Sequence, residues 1–493
     1  MGEGSGHAGP VIGDGDVVEA WVLPPGLEPP AWDLVPLRSA GYRVPRMDAA
    51  FATALVDRLK ATGEALAQRS PAELAATLGR VGRRFSDPRD DLRTAALRLL
   101  PETGVSAGMA EAVLDGMAVD WTEARLRGLV EAEFGRLEGV GTIPENAPAA
   151  SSRIVHRIPP RLCVQIVAGS VPGVTVNAML RSLLVGAPTL VKPGRGDVVL
   201  PVLFGRALAE EDPTLSEALA VLYWVGGSSE AEDAILDHAE VVVVYGGDET
   251  LRSVRARVPA TTRVVGYHHR VSVAVVGRDA LPASETLVRT LAEAAAMFDQ
   301  RGCVCPQLVF VEGTTDAAEE FARVLARACF EVEERLPPAA LDLEEEATRR
   351  QWRASAELWE ATGGGRVFDA GSGSTSTVVY EPVAGAARGA STDSGPRPAP
   401  PGPTEGRTIR VRPVEDVSLV PRLVAPVASH LQTVGYAGLS GRVDELADRL
   451  SRTGASRVVP IREMAFPPAW WLHDGRGPLR ELVRWMEVER EPV

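Results

Sequence analysis

The 493-residue chain is poor in several things, and each shortage excludes a class of protein. Its four cysteines, Cys163, Cys303, Cys305 and Cys329, cannot form a disulfide framework for so long a polypeptide, so a reducing cytoplasm is the expected compartment. No apolar run approaches the ~20 residues of a membrane helix, and Met1 to Gly15 lacks the basic start and apolar core of a secretory signal. Positive charge is short as well: a net charge of −14 argues against nucleic-acid binding. No Gly-x-Gly-x-x-Gly follows the first strand of the α/β region described below, so the standard dinucleotide fingerprint is missing. What remains is an ordinary balance of 45% hydrophobic and 24% charged residues in a chain too long for one core. Two or three domains are expected.

The hydrophobic period changes along the chain. Residues 1–45 are punctuated by Pro and Gly and are expected to run irregularly over the surface. From Met47 to Val140 the spacing is helical, as in Ala49, Phe51, Ala54, Leu55 and Leu59. Ser70-Pro71 reads as an N-cap followed by proline in the first turn. From residue 161 short Val- and Leu-rich runs alternate with helical ones. Strands are expected at Cys163–Ala168, Thr189–Val191, Ala218–Val225, Glu240–Val244 and Arg263–Val265. Helices are expected at Gly173–Gly186, Asp197–Leu208, Ser229–Asp237 and Asp248–Val258. About 25 residues per unit and strands apolar on both faces predict a doubly wound parallel sheet. The resulting division is a helical region over 1–150, a dinucleotide-binding domain over 151–278, an α/β catalytic domain over 279–440 and a C-terminal segment over 441–493. The last is read as helix, strand, helix. Within 384–407 the Pro/Gly/Ser-rich text predicts a disordered insertion.

The chemistry concentrates at Asp299-Gln300-Arg301-Gly302-Cys303-Val304-Cys305-Pro306-Gln307. A cysteine after a glycine, between the helical run Ala283–Phe298 and the strand-like run Leu308–Val311, suits an exposed nucleophile better than a packed core residue. A thiolate both attacks and leaves thioesters well, so Cys303 suits acyl exchange. Cys305 is the rival thiol, and a Cys-x-Cys redox or metal pair is the alternative, although no further Cys or His nearby completes a metal ligand set. Gly246 and Gly247 in Tyr245-Gly246-Gly247-Asp248-Glu249 let backbone approach a dinucleotide closely, or simply make a βα turn. Lys192, at the end of the second of these strands, points where an adenosine ribose would lie, and Arg195 adds charge suited to a 2′-phosphate; a solvated lysine is the plainer reading. Ser170 could face a developing oxyanion or cap a helix. His268, beside His269, could donate a proton or lie on the surface.

Together these segments resemble the LuxC family of acyl-CoA reductases, a branch of the aldehyde dehydrogenase superfamily. The resemblance runs in order through Gly169-Ser170-Val171-Pro172, Leu190-Val191-Lys192-Pro193, Val244-Tyr245-Gly246-Gly247-Asp248-Glu249 and Asp299-Gln300-x-x-Cys303-x-x-Pro306-Gln307. It continues through His430-Leu431-Gln432-Thr433-Val434-Gly435, Gly454-Ala455-Ser456-Arg457-Val458 and Trp471-Leu472-His473-Asp474-Gly475, and covers about residues 150–493.

The resemblance implies an aldehyde-dehydrogenase-like α/β fold and reduction of an acyl thioester to an aldehyde. NADPH is the expected donor, with NADH the other candidate. It places the nucleophile at Cys303, the cofactor lysine at Lys192 and the glycine turn at Gly246 and Gly247. Where the family commonly has Asn-x-Pro after the first strand, with the Asn holding the oxyanion, this chain has Ser170-Val171-Pro172. An acyl-CoA or acyl-carrier-protein substrate is expected, as are a protein partner that activates or transfers acyl groups and a homo-oligomer. Nucleic acid, membrane and metal are not expected. The other readings are an aldehyde dehydrogenase or acyl-phosphate reductase on the same scaffold, or a catalytically silent protein that binds acyl groups or a partner.

Overall fold

The computed structural model describes residues 17–37, 41–135, 153–226, 229–369, 374–382 and 406–489. The expected insertion at 384–407 lies outside these residues except for Gly406 and Arg407. In chain order, the first strands are β1 (Val17–Glu19), β2 (Trp21–Val22), β3 (Ala31–Pro36), β4 (Gly41–Arg46) and β5 (Arg153–Ile158). Next come β6 (Cys163–Ile166), β7 (Thr189–Lys192), β8 (Leu219–Leu222), β9 (Val241–Tyr245), β10 (Arg263–Tyr267), β11 (Val271–Val276) and β12 (Pro306–Glu312). The remainder are β13 (Arg366–Asp369), β14 (Thr377–Tyr380), β15 (Thr408–Val414), β16 (Leu431–Ala437), β17 (Arg457–Pro460) and β18 (Arg484–Glu489).

Five of these strands make a parallel sheet in the order β10-β9-β6-β7-β8, and β2 joins its edge antiparallel to β8. The alternation of side chains puts Val241 and Val243 on one face and Val242 and Val244 on the other. The first face packs against the helices Pro71–Ser86, Val174–Leu184 and Val199–Glu211. The second packs against Ala49–Ala61, Glu230–Asp237 and Asp248–Arg257. Helices on both faces explain why the strands carry uninterrupted apolar runs. The doubly wound arrangement predicted from the alternating periods is the one observed, and Ser70 caps its helix in a full capping box with Glu73.

The chain changes sheets between Tyr267 and Val271. A seven-stranded sheet follows, in the order β13-β14-β15-β12-β11-β16-β17, parallel except for the β13–β14 pair. The helices Glu285–Ala296 and Thr315–Arg335 cover one face, and Val443–Leu450 covers the other.

Two expectations are corrected. Residues 17–46 are not irregular: β1, β4 and β3 form a small sheet, and β2 extends the large one. These strands are short and gain their hydrogen bonds from distant partners, so no local period announces them. The C-terminal segment ends in β18 rather than a helix, because Arg484–Glu489 pairs antiparallel with β5 more than 300 residues earlier in the chain. Among the described residues no helix is long and apolar enough to cross a membrane.

Candidate active site

Cys303 lies where the amino ends of the seven-stranded sheet meet the carboxyl ends of the six-stranded one. The helix Glu285–Ala296 stops before Phe298, Asp299 and Gln300, three consecutive residues with φ of 55°, 53° and 62°. Left-handed backbone at non-glycine residues is unfavourable, and side chains hold it in place here. The Gln300 amide pairs with Thr408 at the start of β15, accepting from its N–H at 2.7 Å and donating to its carbonyl at 2.8 Å. It also donates to the Pro306 carbonyl at 3.0 Å. Asp299 accepts from the Arg407 guanidinium at 2.8 and 3.2 Å, in a fully buried ion pair. Ser272 on β11 completes the clamp, donating its hydroxyl to the Cys303 carbonyl at 2.6 Å.

The two thiols of the Cys-x-Cys pair therefore differ. Cys305 is fully buried, and its sulfur donates to the Met297 carbonyl at 3.1 Å. Cys303 is half-buried and opens onto a cavity of about 110 Å³. Its N–H meets no acceptor on another residue among the described residues. Gly302 before it has to be small, because a Cβ there would sit 2.8 Å from the Phe298 ring.

The cavity is mostly apolar. Leu126, Leu129, Val174, Leu180 and Phe466 are among its walls, and Asp120 is the one carboxylate among the described lining residues. Burial raises the Asp120 carboxyl to about 6, against the pull of Arg125, the Ala469 N–H and Arg181. The helical region before residue 135 thus supplies wall residues Gly116, Met117, Asp120, Leu126 and Leu129. Sequence reasoning assigned that region no part in the site, and its helical spacing marks only buried faces, not what they enclose.

A second group missed from sequence comes from the C-terminal segment. His473 lines the cavity and is stacked between Trp471, at 4.5 Å, and Tyr267, at 4.2 Å. Tyr267 stacks in turn on Tyr245 at 4.7 Å, so a ladder of rings joins the ends of β9 and β10 to the cavity. Arg181, itself buried, donates to the Tyr245 hydroxyl at 3.0 Å. Asp474, with φ 54°, is buried beside Arg270 at 3.0 Å. Desolvation pushes the Cys303 thiol up to about 12 and Asp474 adds to the rise, while Arg270 and Arg457 pull the other way. The one signal in the sequence was the Trp471-Leu472-His473-Asp474-Gly475 segment, noted for its resemblance and given no role.

The residues expected to hold a cofactor sit on the other side, at the carboxyl ends of the first sheet. Lys192 is one of only two lysines in a chain that otherwise uses arginine. Its ammonium lies 5.3 Å from the centre of the Trp224 ring and has no hydrogen-bond acceptor among the described residues. Desolvation lowers its pKa, partly offset by Glu232. Gly246 and Gly247 have ordinary backbone angles, and a Cβ on Gly247 would meet nothing within 4 Å. The protein's own packing therefore does not require a glycine at 247, and the space beside it is open to a ligand. A desolvated lysine with no hydrogen-bond acceptor among the described residues and an open glycine turn fit a nucleotide at these strand ends. Arg195 is exposed and donates to the Pro36 carbonyl at 2.8 Å. Ser170 is exposed; its neighbour Val171 lines the cavity, and Ser170 itself does not. His268 does not line it either: its ring lies 3.1 Å from Asp248 at the surface.

A model of the acyl-CoA reductases (LuxC) matches residues 67–485. The chain belongs to the LuxC family. Similar relatives include the long-chain acyl-protein thioester reductase of Photorhabdus laumondii subsp. laumondii, 24% identical over 54% of this chain and 55% of that protein. Another is the long-chain acyl-protein thioester reductase 2 of Photobacterium leiognathi, 23% identical over 68% of this chain and 66% of that protein. The LuxC chain thus spans about half to two-thirds of the length of these relatives. Among solved structures, aldehyde dehydrogenase 21 of Physcomitrella patens superposes with a TM-score of 0.74 at 14% identity, over 97% of this chain and 99% of the other. An NAD-dependent benzaldehyde dehydrogenase from Corynebacterium glutamicum does so with a TM-score of 0.68 at 14% identity, over 96% of each chain. The fold is that of the aldehyde dehydrogenases, as the resemblance implied.

Proposed function

We propose that this LuxC-family chain reduces an acyl thioester to an aldehyde by way of an acyl group carried on Cys303. The observation that carries this reading is the placement of Cys303. It is the one cysteine among the cavity's lining residues, and Tyr245, at the end of a parallel strand beside the glycine turn, lines the same cavity. The acyl chain lies along the apolar wall, where burial contributes about 25 cal/mol per Å². The sulfur attacks the thioester carbonyl, and the oxygen of the tetrahedral intermediate meets the Cys303 N–H. One such donor is worth roughly 3 kcal/mol in the barrier.

The thiol then leaves, and the acyl group stays on Cys303. Lys192 and the turn at Gly246 and Gly247 would hold a reduced nicotinamide nucleotide, which would supply hydride to the acyl carbon, and Arg195 would favour NADPH over NADH. Collapse of the hemithioacetal releases aldehyde and restores the cysteine. No glutamate is found among the described lining residues, which favours aldehyde release over hydrolysis of the acyl group. The thioester arrives as acyl-CoA or on a carrier protein, and the names of the relatives given above support the latter.

Intact-mass measurement after mixing with acyl-CoAs and acyl-carrier proteins, without cofactor, tests the proposal. An adduct on the Cys303 peptide is expected, retained in Cys305→Ser and lost in Cys303→Ser. Adducts elsewhere, or none with any thioester, would refute it. Fluorescence titration should show Arg195→Ala losing affinity for NADPH more than for NADH.

A further inference from the structure

Thioester exchange at Cys303 needs a proton carrier. The sulfur must give up its proton, and the departing thiol must receive one. The titratable groups among the described lining residues, besides Cys303, are Asp120, Arg181, Tyr245 and His473. Arg181 does not release its proton, Tyr245 is buried and bonded to that guanidinium, and Asp120 is engaged by the Ala469 N–H with Arg125 nearby. The His473 ring is different. It is buried and clamped face to face by Trp471 and Tyr267, no hydrogen bond fixes either ring nitrogen among the described residues, and both carboxylate oxygens of the adjoining Asp474 are buried without a hydrogen-bond partner. A buried polar atom without a partner is costly unless a ligand or transient state uses it. Among the described residues the carboxylate paired with the ring is Asp474, whose Oδ1 lies 3.9 Å from Nε2 and which also faces Arg270 at 3.0 Å.

Resting on the thioester reading above, we infer that His473 is the catalytic proton carrier of acyl transfer, with Asp474 and Arg270 as positioning residues. The imidazole starts and finishes neutral. As the Cys303 sulfur bonds to the carbonyl carbon, its S–H bond breaks and the proton moves to the ring. As the carbon–sulfur bond of the leaving group breaks, the same proton passes to the departing sulfur. No oxidation or reduction occurs in this half of the reaction. Surroundings that disfavour both an isolated thiolate and an isolated imidazolium make transfer concerted with bond formation, and Asp474 offsets the positive charge that develops on the ring. The charged and titratable groups around the ring are Arg181, Arg270, Asp474, Tyr245 and Tyr267, with Cys303 across the cavity.

A comparison of leaving groups tests this assignment. Single-turnover acylation of the full chain is measured without nicotinamide, using two esters of one acyl group, a CoA thioester and a thiophenyl ester. Thiophenolate departs without needing a proton; an alkyl thiolate gains from one. His473→Gln is expected to slow acylation by the CoA ester about 100-fold or more, the usual scale of acid–base assistance, and acylation by the thiophenyl ester, which uses the ring only to take the Cys303 proton, about tenfold less than that. Retained reaction with the thiophenyl ester also shows that the variant is folded. In the unaltered protein, acylation by the CoA ester should show a larger solvent deuterium isotope effect than acylation by the thiophenyl ester. Equal slowing of both esters, or equal isotope effects in the unaltered protein, overturns the assignment. If the unaltered protein forms no acyl-enzyme from either ester, the thioester-reductase reading itself fails and takes this assignment with it.

Discussion

Replacing Gln300 by Leu should release Cys303 from its place while leaving the sheets intact. Each left-handed residue in the run Phe298, Asp299 and Gln300 is disfavoured by about 1 kcal/mol or more, so the turn as a whole is disfavoured by at least ~3 kcal/mol. The Gln300 amide makes three hydrogen bonds, two to Thr408 and one to Pro306, each worth about 1 kcal/mol net. Leucine matches the side chain in size but makes none of them, and it leaves the Thr408 N–H and carbonyl facing hydrocarbon. The restraint removed is thus about as large as the strain it opposes. The Asp299–Arg407 pair remains, so relaxation is expected in the turn rather than in β12. If ~1.4 kcal/mol of the loss appears as misplacement of Cys303, acylation slows about tenfold. Acyl incorporation at Cys303, followed by mass alongside a thermal melt, gives both quantities. A variant that melts earlier but acylates at the original rate would show that the turn does not depend on this amide.

Two further outcomes follow from the charges around the cavity. With its pKa pushed up to about 12, the Cys303 thiol should react with iodoacetamide ever faster as pH rises from 6 to 10. A plateau near pH 7 or 8 would mean that the thiol is not desolvated in the free protein. Asp120→Asn should raise thermal stability near pH 7.5. Its carboxyl titrates near 6 against 3.8 for the free group, so the charged form is disfavoured by about 3 kcal/mol once it ionises. In the unaltered protein this raised pKa helps folding fully below pH 3.8, and the help is lost as pH rises through 6, so the gain from asparagine should fade on acidification. A gain that is constant across pH would refute the burial argument.

How much of this was visible beforehand depends on how far apart the cooperating residues lie. The alternating strands and helices of 163–267 follow from local period, and the sequence positions of those strands match the observed ones to within a few residues. Cys303 stood out because a glycine, a thiol and a proline at a helix-to-strand joint are local chemistry. The left-handed turn before it did not, since Phe298 and Gln300 are not residues that favour such backbone, and the support of the turn comes from Arg407 and Thr408 more than 100 positions later. His473 and Asp474 were legible as residues but not as neighbours of a thiol 170 positions earlier. His268 drew attention as a histidine just past a strand end, and the fold turns it toward Asp248. The walls contributed by Met117, Leu126 and Leu129 required knowing which helix faces enclose space.

The borrowed wall has an evolutionary meaning. In the proposed reaction, bond making would occur at a thiol held between two mainly parallel sheets, whereas part of the cavity wall belongs to a helical stretch that contributes no reacting atom. Changes at Leu126 or Leu129 would then retune which chain fits without disturbing the sulfur, leaving selectivity free to drift while the chemistry stays put.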